Sequence, residues 1–289
     1  MMKIIYGAGM GFFHYVTSGN SILNVSAIFD IRANSISKDE RFGIPLLLPC
    51  KLSEFLSDDT EVIISVVENA EDVKKLCLRL GFTEEKITIL YSRPPVFNFD
   101  EGLALNVLQR VIGQLPDDCK CMCAYGTLLG LWREGALIKH DYDLDMWVVE
   151  STLKLADIEK IKNFIELSVS GVVYSDIQVY KIPKNNFISS DNPAMYQLIF
   201  YFDNSTMVQI DFFYLLPSGN DFYSTHGAGD LYKLSEQLFI EIVTLELNGE
   251  FYPIPKETEK ILEVIYGNWR VPEHPNEDGR YVTHLHRVL

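Results

Sequence analysis

Basic residues are scarce in this sequence: 25 Lys and Arg stand against 40 Asp and Glu, a formal net charge of −15 over 289 residues. A surface with that balance repels a polyanion. Sequence-independent binding to DNA or RNA is therefore excluded as a general activity, and no nucleic-acid partner is expected. Docking on an anionic leaflet is disfavoured for the same reason. The deficit leaves room for a nucleotide substrate, because a few local cations and a metal neutralise one diphosphate. Long apolar runs are also missing. Residues 44–48 form one of the longest, carry a proline, and fall far short of the about 20 residues that cross a bilayer. No integral membrane segment is expected. The opening MMKIIYGAGMGFF reads as a strand and a glycine turn rather than a signal peptide. Cysteines number five, an odd count that, without a secretory signal, favours a reducing compartment, and the cytoplasm is the expected location. Three of them, Cys119, Cys121 and Cys123, are spaced C-x-C-x-C rather than as C-x-x-C pairs and fall on an expected strand, so a structural role is expected. Internal repeats and low-complexity tracts are absent.

What the chain does contain is alternation. Residues 2–6, 22–29, 42–48, 61–66 and 86–90 read as strands, with helical patterns at 10–18, 52–56 and 70–80 between them. This is the βαβ signature of a small parallel sheet, and residues 1–92 are expected to form a Rossmann-like α/β accessory domain. Gly7 and Gly9 give G-x-G after the first strand, and Asp30 stands where a ribose-binding acid belongs. The third glycine of that fingerprint falls at Phe12, and Gly11 is one position early, so the motif is incomplete and a structural or docking role is expected for it. Residues 93–99, with Pro94-Pro95, read as a linker. Residues 100–289 are expected to form an α+β domain with a mixed sheet: a helix at 100–114, a short strand at 121–125, a helix at 154–165, and strands at 171–182, 195–202, 207–215, 238–247 and 250–254. The stretch 218–229 (SGNDFYSTHGAG) reads as a loop, Asn248-Gly249 as a tight hairpin turn, and 257–266 as a helix.

The stretch 125–145, YGTLLGLWREGALIKHDYDLD, carries the chemistry. It opens on a small-residue turn, Gly126-Thr127, and a short helical pattern. It closes on three carboxylates at alternate positions, Asp141, Asp143 and Asp145, followed by an apolar run. Residues two apart on a strand face the same way, so Asp143 and Asp145 project together while Leu144 and Met146 enter the core. Carboxylates held that close repel unless a cation lies between them, and hard oxygen donors suit Mg²⁺ or Mn²⁺. Asp211 is a second anomaly: a charge in the middle of the apolar strand pattern MVQIDFFYLL. By itself it reads equally as an edge-strand acid facing water. With the Asp143/Asp145 pair it reads as a further metal ligand or as a catalytic base.

A Gly-Thr turn at a helix start, D-x-D on a strand and one Asp on a later strand resemble the layout of the nucleotidyltransferase superfamily. The turn offers backbone N–H groups to phosphate, the acid pair holds the metal, and the last acid binds a second metal or takes the proton of the attacking hydroxyl. More narrowly, Gly126-Thr127-Leu128-Leu129-Gly130, Arg133, the D-x-D-x-D of Asp141, Asp143 and Asp145, Ile210-Asp211-Phe212, the FYPIP of 251–255 and the YGNW of 266–269 resemble the LicD-type phosphotransferases, a group that includes the fukutin-related proteins. The resemblance spans roughly residues 100–270. It implies Asp143, Asp145 and Asp211 as catalytic residues, Asp141, Asp143, Asp145 and Asp211 as metal ligands, and Gly126, Thr127, Arg133 and His140 as substrate contacts. It implies transfer of a phosphorylated alcohol from a CDP-linked donor to a glycan acceptor, as in surface polysaccharide modification. Lys139-His140 and Tyr142 depart from the family pattern near the expected donor. Arg133 also admits a plainer reading as a surface arginine paired with Glu134. Two other functions remain open: a nucleotidyltransferase that activates a sugar or alcohol phosphate with NTP, and a nucleotide-sugar sensor or scaffold. A homo-oligomer or a complex with assembly machinery is equally open.

Overall fold

The computed structural model describes residues 2–31, 33, 40–41, 43–66, 69–92, 97–139, 141–149, 152–180, 193–202, 205–226 and 230–272. They divide into two compact units. One comprises Met1–Asn98 with Tyr201–Met207, and the other Phe99–Phe200 with Val208–Leu289. Most of the expected linker, residues 93–96, lies outside the described residues, as do His140 and the tail beyond 272.

The first unit is built on six strands: β1 (Met2–Tyr6), β2 (Val25–Phe29), β3 (Glu40–Arg41), β4 (Ile44–Leu47), β5 (Thr60–Ile64) and β6 (Ile87–Ile89). Their order is β3-β4-β2-β1-β5-β6, parallel throughout except at β3–β4. Chain order reverses at β1, the Rossmann-like arrangement. Ile4, Ile5, Ile63 and Ile64 are buried because a central parallel strand is covered on both faces. The unit has two helices, α1 (Met10–Thr17) and α2 (Ala70–Leu80), and Ala70, Val73 and Cys77 of α2 join the core of the sheet. The stretch expected as a helix near 52–56 is a 3₁₀ turn, Pro49–Phe55, opened by the proline. Gly11 is required by proximity: a Cβ there would lie 1.9 Å from the Ser65 carbonyl oxygen. The Asp30 carboxylate is turned inward, where its Oδ2 accepts from the Ala8 N–H at 2.9 Å.

The second unit opens with α3 (Glu101–Ile112), whose N-cap Asp100 accepts from the Leu103 N–H. Then come β7 (Cys121–Cys123), α4 (Tyr125–Arg133), β8 (Leu144–Val149), α5 (Leu155–Ser168), β9 (Val172–Tyr180), β10 (Met195–Phe202) and β11 (Met207–Ser218). A hairpin follows, β12 (Asp221–His226) and β13 (Asp230–Ser235), then a second, β14 (Ile242–Leu247) and β15 (Glu250–Pro255), and finally α6 (Thr258–Tyr266). Seven of these strands form one mixed sheet. The path β13-β12-β11-β10-β9 is joined at β11 by β8, and β8 pairs with β7. β7–β8 is antiparallel and β8–β11 parallel. Every residue of β8 is buried, Leu144 and Met146 fully, as a strand in mid-sheet demands.

The expectation of a loop at 218–229 is incorrect. Gly219-Asn220 is the two-residue turn of a hairpin, with Gly219 at φ +66°, and it pairs Ser218 with Asp221. Phe222, Tyr223 and Ser224 are buried on the new strand. The polar composition concealed a Gly-Asn turn that is itself a hairpin signal. The strand expected from 238 begins at Ile242, after a 3₁₀ turn at Glu236–Phe239. Asn248-Gly249 does turn β14 into β15, both with positive φ. Cys121 and Cys123 are buried, and burial pushes the Cys123 thiol up to about 12, far from any ligating thiolate. No helix among the described residues is long and apolar enough to cross a membrane.

Candidate active site

The site forms where α4 and β8 meet. β7 delivers the chain into α4, and the Ala124 N–H donates to the Asp145 carbonyl at 2.9 Å, tying helix start to strand start. Tyr125, the first helical residue, has φ +36°, a left-handed conformation that costs a non-glycine residue about 1–3 kcal/mol. Its ring holds it there. It is buried edge-on against Trp147 and Phe213, and its hydroxyl donates to Ser224 Oγ at 3.1 Å. The strained turn aims the next amide at the acids: the Gly126 N–H donates to Asp145 Oδ2 at 3.1 Å. Thr127 is buried, and its Oγ1 accepts from the Asp145 N–H at 2.8 Å.

Gly126 serves the site by lacking a side chain. A Cβ at this position would lie 2.0 Å from Asp141 Oδ2. The Asp141 carboxylate therefore occupies the space that any other residue would fill. Asp141, Asp143 and Asp145 each contribute a carboxylate oxygen to a group lying within 4.8 Å of one another. No Lys or Arg among the described residues pairs with them. The electrostatics record that crowding. Burial first, then the Asp143 charge, pushes Asp141 up to about 8. Asp145 is raised well above the usual carboxylate range by burial and by Asp143, Asp141 and Asp211. A cluster of hard oxygen donors, uncompensated and facing one point, fits a divalent cation such as Mg²⁺ or Mn²⁺.

Asp211 lies opposite Asp145 in the parallel β8–β11 pairing, on the same face of the sheet. Its oxygens are not members of the close group formed by the other three acids. Instead, two amides grip it. Gln197 Nε2 donates to Oδ1 and Oδ2 at 3.1 and 3.4 Å, and Gln209 Nε2 at 3.2 and 3.3 Å. Burial and the Asp143 charge raise Asp211 to about 7 despite these donors, which act the other way. Neither glutamine is legible as a site residue in the sequence, because a glutamine on a strand is ordinary until its neighbours are known.

Arg133 is already engaged. Its Nε and Nη2 donate to Glu134 Oε1 at 3.2 and 2.6 Å, and Nη1 to the Trp269 carbonyl at 3.1 Å. This contact set ties α4 to the segment after α6. Tyr266, at the end of α6, has its phenol raised well above its ordinary value by burial and by the charges of Asp145 and Asp141, so it stays protonated beside the acids. Tyr142, between two of the acids, is 55% exposed and meets Phe99 edge-on. His140 falls outside the described residues.

No curated protein matches the chain. Among solved structures, the chain is similar to UDP-N-acetylglucosamine 3-dehydrogenase GnnA from Acidithiobacillus ferrooxidans, at 11% identity over 91% of this chain and 87% of that one, TM-score 0.23. It is also similar to myo-inositol 2-dehydrogenase from Lactobacillus plantarum, at 9% identity over 90% of this chain and 84% of that one, TM-score 0.23. Scores this low carry no argument. Residues 118–228 match the family model LicD/FKTN/FKRP, nucleotidyltransferase domain. That span contains β7 to β12 and all four acids. The similarity to the LicD family thus covers residues 118–228, the part of the chain that holds the site.

Proposed function

We propose that this protein transfers a phosphorylated alcohol from a CDP-linked donor to a hydroxyl of a glycan, in a reaction that needs Mg²⁺ or Mn²⁺. The observation that carries the reading is the gathering of Asp141, Asp143 and Asp145 around one point, at a helix start whose Gly126 leaves room for the Asp141 carboxylate. Asp141, Asp143 and Asp145 would hold the cation, which supplies charge neutralisation for the diphosphate. Gly126 and Thr127 set the position of Asp145 and thereby shape the phosphate side of the site. Asp211, held by two amides, accepts the proton of the attacking hydroxyl. The acceptor oxygen bonds to the phosphorus that carries the alcohol. The bond from that phosphorus to the bridging oxygen breaks, and its electron pair leaves with CMP. Arg133, engaged with Glu134 and the Trp269 carbonyl, acts by fixing α4 rather than by clamping the diphosphate.

The test is product analysis. The protein is incubated with Mg²⁺ and CDP-choline, CDP-ribitol or CDP-glycerol, and in parallel with each NTP and a panel of sugar and alcohol phosphates. CMP release from a CDP-linked donor supports the reading. Pyrophosphate release from an NTP would transfer the same site to the activation of a sugar or alcohol phosphate. The absence of both would return the chain to a sensor or scaffold, against which the convergence of the acids already speaks.

A further inference from the structure

Beyond Asp211, the polar side chains continue outward across the sheet in one row. β11, β10 and β9 are neighbours in that order. Gln209 and Asp211 stand on β11. Gln197 on β10 donates to Asp211, and its Oε1 accepts from the Tyr180 hydroxyl of β9 at 3.4 Å. The same hydroxyl lies 2.9 Å from Gln178 Oε1, two residues back on β9. These hydrogen bonds place all five side chains on one face, the face that carries Asp145. The opposite face of β10 and β11 carries no such row. Tyr196, Leu198 and Phe200 on the other face of β10, and Ile210, Phe212 and Tyr214 on that of β11, are buried core.

We propose that the row Gln209, Gln197, Gln178 and Tyr180 is the subsite that receives the hydroxyl-bearing acceptor, a neutral polyol or sugar chain, with Tyr180 and Gln178 as its outer contacts. The inference rests on the transferase reading for its direction. In an in-line displacement the nucleophile enters opposite the leaving group. The three clustered acids and the start of α4 make the phosphate side, so the acceptor approaches from the side of Asp211 away from them. The row begins there. Its chemistry suits that ligand. Amides and a phenol supply donors and acceptors together, as sugar hydroxyls require, and Tyr180 is 39% exposed, so its ring also offers a face for sugar C–H groups. Among the described residues, the row carries no cation that would recognise a second phosphate. In the chain's own terms, Gln197 links the two functions: one end of its amide holds Asp211 and the other meets Tyr180, so a bound acceptor and the base that deprotonates it share one side chain.

The test reads binding directly. Saturation-transfer NMR is recorded on the full chain with Mg²⁺ and CMP, against maltotriose, N,N′-diacetylchitobiose, methyl β-galactoside and ribitol as probes. At least one probe is expected to take up saturation from the wild type. Tyr180→Ala and Gln178→Ala are each expected to cut that signal at least fivefold while the CMP signal persists, which separates loss of the subsite from unfolding. Tyr180→Phe, which keeps the ring and removes only the hydroxyl, is expected to lose less than Tyr180→Ala. The proposal is overturned if no probe binds the wild type, or if the signal survives intact in Tyr180→Phe and Gln178→Ala. Failure of the transferase reading is seen separately, as the absence of CMP release from every CDP-linked donor.

Discussion

Asp145 concentrates the physics of the site in one residue. It is buried, it accepts from the Gly126 N–H, and three other carboxylates press on it. Without a cation this arrangement costs stability, so Asp145→Asn should raise the melting temperature of the metal-free protein by a few degrees. The same change should abolish the rise that Mg²⁺ gives the wild type and lower transfer by roughly a hundredfold or more. Parallel melts in EDTA and in Mg²⁺ would show it, and an Asn variant less stable than wild type in EDTA would refute it. The pH dependence has a defined sign. Asp141 titrates near 3.8 unfolded and at about 8 folded, and Asp211 near 3.8 and at about 7. Between those values the native state binds more protons than the unfolded one, so stability in EDTA falls as pH rises from about 4 through 8. Stabilisation by Mg²⁺ should accordingly be larger at pH 8 than at pH 5, measured by melts at the two pH values. The acids themselves are legible in the sequence, since a charge within an apolar strand pattern is an anomaly. Gln197 and Gln209 are not, because their direction depends on which strands lie side by side.

At the scale of elements, the junction of α4 with β8 is held by small groups. Thr127 Oγ1 satisfies the buried Asp145 N–H. Thr127→Val preserves the shape and strands that donor, and should cost about 1–3 kcal/mol in urea unfolding. Gly126→Ala places a Cβ where the Asp141 carboxylate lies. It should leave the fold in place and weaken Mg²⁺ binding by roughly tenfold or more, measured by calorimetric titration. The Gly126-Thr127 turn is readable from sequence as a small-residue turn at a helix start, but the reason for its glycine is not. That reason is the proximity of a carboxylate fifteen positions on, a distance that only the folded loop brings to contact. The hairpin of β12 and β13 is hidden in the sequence for a related cause: its residues look polar by composition, and only pairing with β11 buries Phe222 and Tyr223. Elements with strong apolar periodicity, such as β1, β5, α2 and β8, were readable because nothing outside them is needed to reveal the pattern.

Across the whole molecule, the two units divide the motifs between them. The G-x-G turn belongs to the first, and its Asp30 is already bonded to the turn it would have shared with a ribose. NADH and NADPH should therefore leave the melting temperature unchanged, whereas Mg²⁺ with CMP should raise it; a dinucleotide-induced rise would assign the first unit a ligand of its own. The parallel pairing of Asp145 with Asp211 joins segments far apart in the chain, and a slip of one residue would send Asp211 to the opposite face. Ligand capture here is thus a proofreading signal for topology. A refolding chain with β8 and β11 out of step has secondary structure but no complete site, so under the proposed function metal-stimulated turnover would count only molecules whose strands are correctly aligned. An insertion of one residue within β11 should yield a protein that is abundant, folded by circular dichroism, and inert.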